Sequence, residues 1–324
     1  MEIMHGFTSR ETFLGVPRVK LPELDQSKPD VVILGAPFDW GASYRPGARF
    51  GPAEIRRACY NPPYPDQYYA LSLKNRPLVD LNVVDAGDAP VIVGQIDVSL
   101  DGIRDAVQTI AAAGAVPIIL GGDHTIALPD MTGIARVRGN GSFGVVHFDA
   151  HADTGESNWG YPYSHGTPMR RLIESGAVPG DRFVQMGLRG YWPGEKTFEW
   201  MHDRGMRSIF QHEIDEMGLK TATDEAVRLA GRNGSRGIFL SVDIDVVDPG
   251  HAPGTGTPEP CGMLPRELVS TVRRLALEND IVGMEIVEVA PPYDHADVTS
   301  LLASRVVLEV LAAMAARRTR AAST

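Results

Sequence analysis

Cysteine is nearly absent: the 324 residues contain only Cys59 and Cys261, too far apart to form the paired spacing of a zinc or redox motif. That excludes a disulfide-stapled scaffold and a thiolate metal site, and reduced, partly buried thiols in a cytoplasmic protein are expected. Long apolar runs are also missing to the eye. No stretch approaches the roughly 18 residues that span a bilayer, and the opening MEIMHGFTSRETF has no signal-peptide core, so no membrane association is expected. Basic residues are in deficit, 31 Lys and Arg against 41 Asp and Glu, a formal net charge of −10. Such a charge repels a phosphate backbone and argues against nucleic acid as a partner. The arginines at the far C-terminus, Arg317, Arg318 and Arg320, follow a helix whose negative end they would solvate. There is no Pro/Gly/Ser linker and no block of like charge to divide the chain, so one domain over residues 1–324 is expected, with about 1–28 as an N-terminal extension or arm.

Short β-branched runs alternate with amphipathic helical stretches. Strands are expected at 31–34, 83–84, 116–120, 143–148, 183–186, 238–242 and 281–287, with helices near 52–59, 96–113, 167–174, 223–231, 265–277 and 300–317. The alternation reads as an α/β domain with a mostly parallel, doubly wound sheet of about eight strands. Parallel sheets place their crevice beyond the C-terminal ends of the strands. Four of these ends carry unusual polar residues: Gly121-Gly122-Asp123-His124, Asp149-Ala150-His151-Ala152-Asp153, Ser241-Val242-Asp243-Ile244-Asp245, and Glu288.

In extended chain, residues two apart point the same way, so Asp149, His151 and Asp153 can project into one cavity, and Asp243 can stand beside Asp245. With His124 this makes two imidazoles and four carboxylates. Four carboxylates bring −4 and two divalent cations +4, so a pair of ions neutralises the cluster. Each piece alone has a plainer reading: Asp123 as a helix N-cap after a turn, Asp-x-Asp as a solvated turn. Together at strand ends they point to metal. Mixed carboxylate and imidazole donors without thiolate suit Mn²⁺, with Ni²⁺, Co²⁺ or Fe²⁺ compatible. The remaining histidines, His147, His202, His212, His251 and His295, show no paired spacing and are assigned to no metal. RPGARFG lacks the Gly-Lys-Ser/Thr ending of a phosphate loop and reads as a structural turn.

The segments SYRPGARFGP (43–52), GGDHT (121–125), DAHADT (149–154), SHGTP (164–168), SVDIDVVDP (241–249), APGTGTP (252–258) and VEVAPPYD (287–294) together resemble the ureohydrolases, the arginase and agmatinase family. The resemblance implies a three-layer arginase-type fold, a trimer or hexamer, and a hydrolase that cuts a guanidino compound into urea and an amine. It implies one manganese among His124, Asp149, Asp153 and Asp243, and a second among Asp149, His151, Asp243 and Asp245. It further implies Asp153 as the proton carrier to the departing amine, His165 as the acid/base histidine and Glu288 as the anchor of the guanidinium. Two departures stand out. Thr125 replaces a common Ser, and Thr154-Gly155-Glu156 lacks the Asn with which arginases hold the α-amino acid end of arginine.

The second departure points to the agmatinase-like branch, with agmatine as substrate. The loop 154–164 supports this through Glu156, Trp159, Tyr161 and Tyr163 and its lack of Lys or Arg; Arg45 or Arg189 reaching in from elsewhere would oppose it. Other guanidines (4-guanidinobutyrate, guanidinopropionate, a biguanide) or a formimino compound form the first alternative. A catalytically silent subunit of a hetero-oligomer is the second.

Overall fold

The computed structural model describes residues 12–59 and 64–322. Eight strands form one sheet: β1 (Val31–Ala36), β2 (Val83–Asp88), β3 (Val116–Gly121), β4 (Gly144–Phe148), β5 (Phe183–Leu188), β6 (Arg207–Phe210), β7 (Ile238–Asp243) and β8 (Ile281–Val287). Their order is β2-β1-β3-β8-β7-β4-β5-β6, and every pairing is parallel, more uniform than the mostly parallel sheet expected.

The central strands are apolar at nearly every position because both faces are covered. Val31 and Ile33 of β1, Ile118 and Leu120 of β3 and Val146 and Phe148 of β4 belong to one core, which includes Leu229, Leu275 and Val310 from the helices Leu219–Ala230, Pro265–Glu278 and Val298–Ala322. Their alternates Val32, Leu34, Ile119 and Val145 join the other core, under the helices Ile96–Ala112, Ala127–Arg138 and Pro168–Glu174. The period of two thus builds three layers, helix on sheet on helix.

Three expectations change. The stretch 195–217, read without elements, contains the helix Glu195–Asp203, strand β6 and the helix Gln211–Met217. Strand β6 is a four-residue edge with only Ile209 buried, and Met201 is the only buried residue of the first helix, so neither gives a strong apolar period. The segment Val298–Ala321 of the last helix is long and apolar enough to cross a membrane by length and composition, which the sequence reading did not anticipate. Yet 67% of its most apolar 18-residue stretch is buried inside the fold, as befits a core helix. The thiols also differ: Cys59 is half-buried against the Tyr68 hydroxyl, but Cys261 is exposed.

Of the expected N-terminal extension, residues 1–11 lie outside the described residues. Residues 12–28 are fastened to the body: Phe13, Leu14 and Val16 are buried, and the Phe13 N–H donates to Asp85, which also pairs with Arg56 at 2.9 Å.

Candidate metal centre

Strands β3, β8, β7 and β4 are neighbours in the middle of the sheet, and they are the four whose ends carry the charged residues. The chain runs β1 to β2 toward one edge, returns to β3, then jumps past β8 and β7 to β4. The crevice opens at this switch of direction.

After β3 the chain turns tightly. A Cβ on Gly122 would lie 2.0 Å from the Phe38 carbonyl oxygen, so only glycine fits there. Asp123 caps the next turn, with Oδ1 accepting the Thr125 N–H at 2.9 Å and Oδ2 accepting the Gly41 N–H at 2.7 Å. The plain reading of Asp123 as a cap therefore holds, and His124 is the residue aimed inward. Its Nδ1 is 3.0 Å from Asp149 Oδ2, 3.0 Å from Asp153 Oδ2 and 3.2 Å from Asp243 Oδ2.

His151 makes a second focus. Its Nδ1 is 3.1 Å from Asp245 Oδ2 and 3.5 Å from Asp149 Oδ1, so the two oxygens of Asp149 address two histidines. Asp243 turns Oδ2 to His124 while its Oδ1 accepts the Asp245 N–H at 2.8 Å. All six candidate ligands named from the sequence are thus brought together.

These donors fit divalent cations on a test internal to the structure. His124 Nε2 lies 2.9 Å from Ser241 Oγ, and a tautomer with its hydrogen there leaves the lone pair of Nδ1 facing three carboxylate oxygens. Nδ1 is buried and has no hydrogen-bond partner. A lone pair and three anionic oxygens within 3.2 Å repel one another unless a proton or a metal cation sits among them. The same strain shows in the carboxyls. Burial, then Asp245 and Asp149, push Asp243 well above the carboxylate range, and burial with Asp149 raises Asp153. Asp149 itself is held well below: burial would raise it, but the imidazoles of His124, His147 and His151 gathered around it outweigh that.

His147 was not foreseen in this role. Its Nε2 is 2.9 Å from Asp149 Oδ2, its Nδ1 is 3.0 Å from Gln185 Nε2, and its ring meets that of His124 edge-on at 5.0 Å. The signal was present, because His147 precedes Asp149 by two and extends the same alternating face one step back into β4.

Glu288 follows β8 in the left-handed region, at φ 61°, and Asp153 follows β4 at φ 53°. Such backbone costs on the order of 1–3 kcal/mol at a non-glycine residue and persists where surroundings hold it. Here the Glu288 N–H donates to the Gly122 carbonyl at 2.9 Å, and the Asp153 carbonyl accepts from Met169 at 3.1 Å. Glu288 Oε1 accepts the His124 N–H and faces His165 Nδ1; Oε2 has no hydrogen bond among the described residues. His165 Nε2 reaches Ser43 Oγ at 2.7 Å. Burial lowers the His165 pKa, but the neighbouring Glu288, then Asp153 and Asp123, bring it up to about 9.

A cavity of about 390 Å³ opens over His151, Asp153, His165 and Asp243, walled by Ser43, Ser157, Asn158, Trp159, Trp192 and Thr257. Part of the substrate-loop expectation holds, since Asn158 and Trp159 of that loop line the cavity, and part is corrected. Glu156 is exposed and does not line the cavity, and Tyr161 packs on Tyr163 away from it. Trp192, from a distant loop, takes their place. Arg189 is occupied behind the site, donating to the carbonyls of Gly187, Asp245, Val246, Glu259 and Pro260. In the RPGARFG segment, Gly47 N–H and Arg49 bind Asp39, a structural turn as expected.

A wholly parallel sheet gathers two imidazoles and four carboxylates at the ends of its central strands, which makes this an α/β protein with a candidate metal site. The chain belongs to the arginase family, whose sequence pattern it matches over residues 29–313. It is 38% identical to guanidinopropionase of Pseudomonas aeruginosa over 96% of this chain and 95% of that one. With an agmatinase of Bacillus cereus the identity is 37%, over 90% of this chain and 93% of the relative. The solved structure of proclavaminate amidino hydrolase from Streptomyces clavuligerus superposes with a TM-score of 0.86 at 33% identity, covering 97% of this chain and 100% of that one. The protein is accordingly a hydrolase of carbon–nitrogen bonds in linear amidines.

Proposed function

We propose that the chain binds two divalent ions, Mn²⁺ first among them, and hydrolyses agmatine to putrescine and urea. The observation that carries the substrate is the cavity wall: polar and aromatic side chains, with no Lys or Arg, above an acidic floor. When bound, such ions would acidify water from a pKa of about 15.7 toward 7 and so would supply a nucleophile at neutral pH. His124, Asp149, Asp153 and Asp243 would hold one, and Asp149, His151, Asp243 and Asp245 the other.

The protein's own groups do the rest. A guanidinium carbon is a poor electrophile, so the substrate must be held in place. Glu288 Oε2, free of other hydrogen bonds among the described residues, accepts from the guanidinium in a charge-assisted pair. Asp153 passes a proton to the departing nitrogen, and His165 exchanges protons with solvent through its edge toward Ser43. The same reading includes one domain over 1–324, a homo-oligomer, trimer or hexamer, and a cytoplasmic location.

A second reading, a guanidino acid as substrate, is favoured by the likeness to guanidinopropionase and by Arg45, whose guanidinium lies over the rings of Tyr44 and Tyr293. Urea release from agmatine, 4-guanidinobutyrate, guanidinopropionate, arginine and a formimino compound, measured on Mn²⁺-loaded protein, tests both. Turnover of none of them, with two ions bound, would favour a silent subunit and overturn the proposal.

A further inference from the structure

Behind His124, away from the cavity, two more carboxyls are sealed into the fold. Glu285 sits in β8 between Ile119 of β3 and Ser241 of β7, and Asp130 comes from the first turn of the helix Ala127–Arg138. Both are fully buried. Each carboxyl faces the other, and Glu285 also faces the Ser241 hydroxyl. None of their four oxygens accepts a hydrogen bond from a donor beside it, and neither residue pairs with Lys or Arg among the described residues. His124 Nε2 stands 3.8 Å from Glu285 Oε1 and 2.9 Å from Ser241 Oγ.

Two adjacent carboxylates without a cation would repel strongly in so dry a place. They are satisfied as one acid and one carboxylate joined by a hydrogen bond. Asp130, the more distant from His124, is the acid, because the imidazole edge and Ser241 on the neighbouring strand both lie beside Glu285. The negative member is Glu285, on the side of the imidazole. A carboxylate behind the outer nitrogen of a metal-binding histidine fixes the ring and makes the inner nitrogen a better donor.

We propose that Asp130 and Glu285 are positioning residues for metal binding: Asp130 fastens Glu285 against Ser241 and the Nε2 edge of His124, so that Nδ1 points into the carboxylate cluster. This rests on the two-ion reading above. The pair touches neither cavity nor substrate, so its effect is on ion uptake.

The test is Mn²⁺ titration by calorimetry with elemental analysis on the full chain. Wild type should take up two ions per subunit. Asp130→Leu should weaken one of the two by roughly 10- to 100-fold, whereas Asp130→Asn, whose amide can donate to Glu285, should restore uptake. If Asp130→Leu does not fold, Glu285→Gln decides. It keeps hydrogen bonds to Ser241 and Asp130 but removes the charge, and should weaken one ion by about tenfold. Two ions at wild-type affinity in the deciding variant would overturn the proposal alone, as would a lower Tm of the metal-free protein with unchanged uptake. A wild-type chain that binds no ion overturns both this and the two-ion reading.

Discussion

His165 and Glu288 meet at a single oxygen: Glu288 Oε1 lies 3.0 Å from His165 Nδ1 and also accepts the backbone N–H of His124 at 2.9 Å. One carboxylate thereby links the acid/base candidate to the turn that carries a metal ligand, with its other oxygen left for substrate.

Glu288→Gln should keep both ions and lower kcat/KM by roughly 10- to 100-fold, the loss of one charge-assisted hydrogen bond of about 1.5–3 kcal/mol. The His165 pKa, now about 9, should fall toward its ordinary value. NMR titration of the histidines in the metal-free protein reads this directly. A value still near 9 in the variant would show that Glu288 does not set it.

The same pair makes stability depend on pH. The folded pKa of His165 lies above its unfolded value, so its contribution is fully present below about pH 6.5 and is lost as pH rises through about 9. Denaturant unfolding of metal-free wild type and Glu288→Gln should show a gap at pH 6 that narrows by pH 10. A gap that widened with pH would reverse the sign and reject the pairing.

Much of this was legible before any coordinates, for a physical reason. Strands buried on both faces are continuous apolar runs, and charge placed at their ends is so costly that Asp149-x-His151-x-Asp153 and Asp243-x-Asp245 had to serve a purpose. Alternation picked out these residues but did not aim all of them: Asp245 lies in the 3-10 turn Ile244–Val246 and Asp153 has left-handed backbone, whereas His147, inside β4, could have been read by that rule. What escaped was set by other forces. Strand β6 is short, with a single buried position, and the cavity wall is assembled across the chain. Nearness in sequence to the metal motif was a partial guide there: it found Asn158 and Trp159, but it also pointed to Glu156 and missed Trp192.

Asp149→Asn and Asp243→Asn should each lose the ion pair and nearly all activity. Asp149 offers one oxygen to the His124 side and the other to His151, and Asn replaces one of these acceptors with a donor. Elemental analysis that finds two ions per subunit in either variant would contradict the shared role.

Metal uptake should release protons and weaken as pH falls. Without ions, burial lowers the pKa values of His124 and His151, but the surrounding aspartates outweigh it and hold both well above the ordinary value. Cations must displace those protons. Calorimetry in two buffers of different ionisation enthalpy measures the release. Uptake independent of both buffer and pH would show that the imidazoles are not ligands.

Gly122→Ala should destabilise the fold by about 1–3 kcal/mol or more, because the new methyl would overlap the Phe38 carbonyl, a backbone atom that cannot turn aside. Urea unfolding measures it. A change below about 0.5 kcal/mol, the range of surface substitutions, would mean that the turn yields easily.

The last prediction concerns the substrate's tail. Agmatine ends in an ammonium, 4-guanidinobutyrate in a carboxylate, and arginine in both. The cavity wall offers Trp159 and Trp192, whose ring faces attract a cation by about 0.5–1 kcal/mol at exposed sites, and no Lys or Arg to meet a carboxylate. Arg189, the nearer arginine to the metal loop, has its donors committed to backbone carbonyls. Agmatine should therefore have the highest kcat/KM of the three, by about fivefold, since 1 kcal/mol is worth roughly that factor. Trp192→Ala should erase most of this preference through KM, leaving kcat less affected, because the ring touches the tail and not the reacting carbon. Arg45→Ala separates the second reading: if the substrate is a guanidino acid, that variant loses turnover of 4-guanidinobutyrate while agmatine turnover holds. A kcat/KM for 4-guanidinobutyrate or arginine tenfold above that for agmatine would sink the ranking, and with it the idea that two tryptophans and an acidic floor choose the tail.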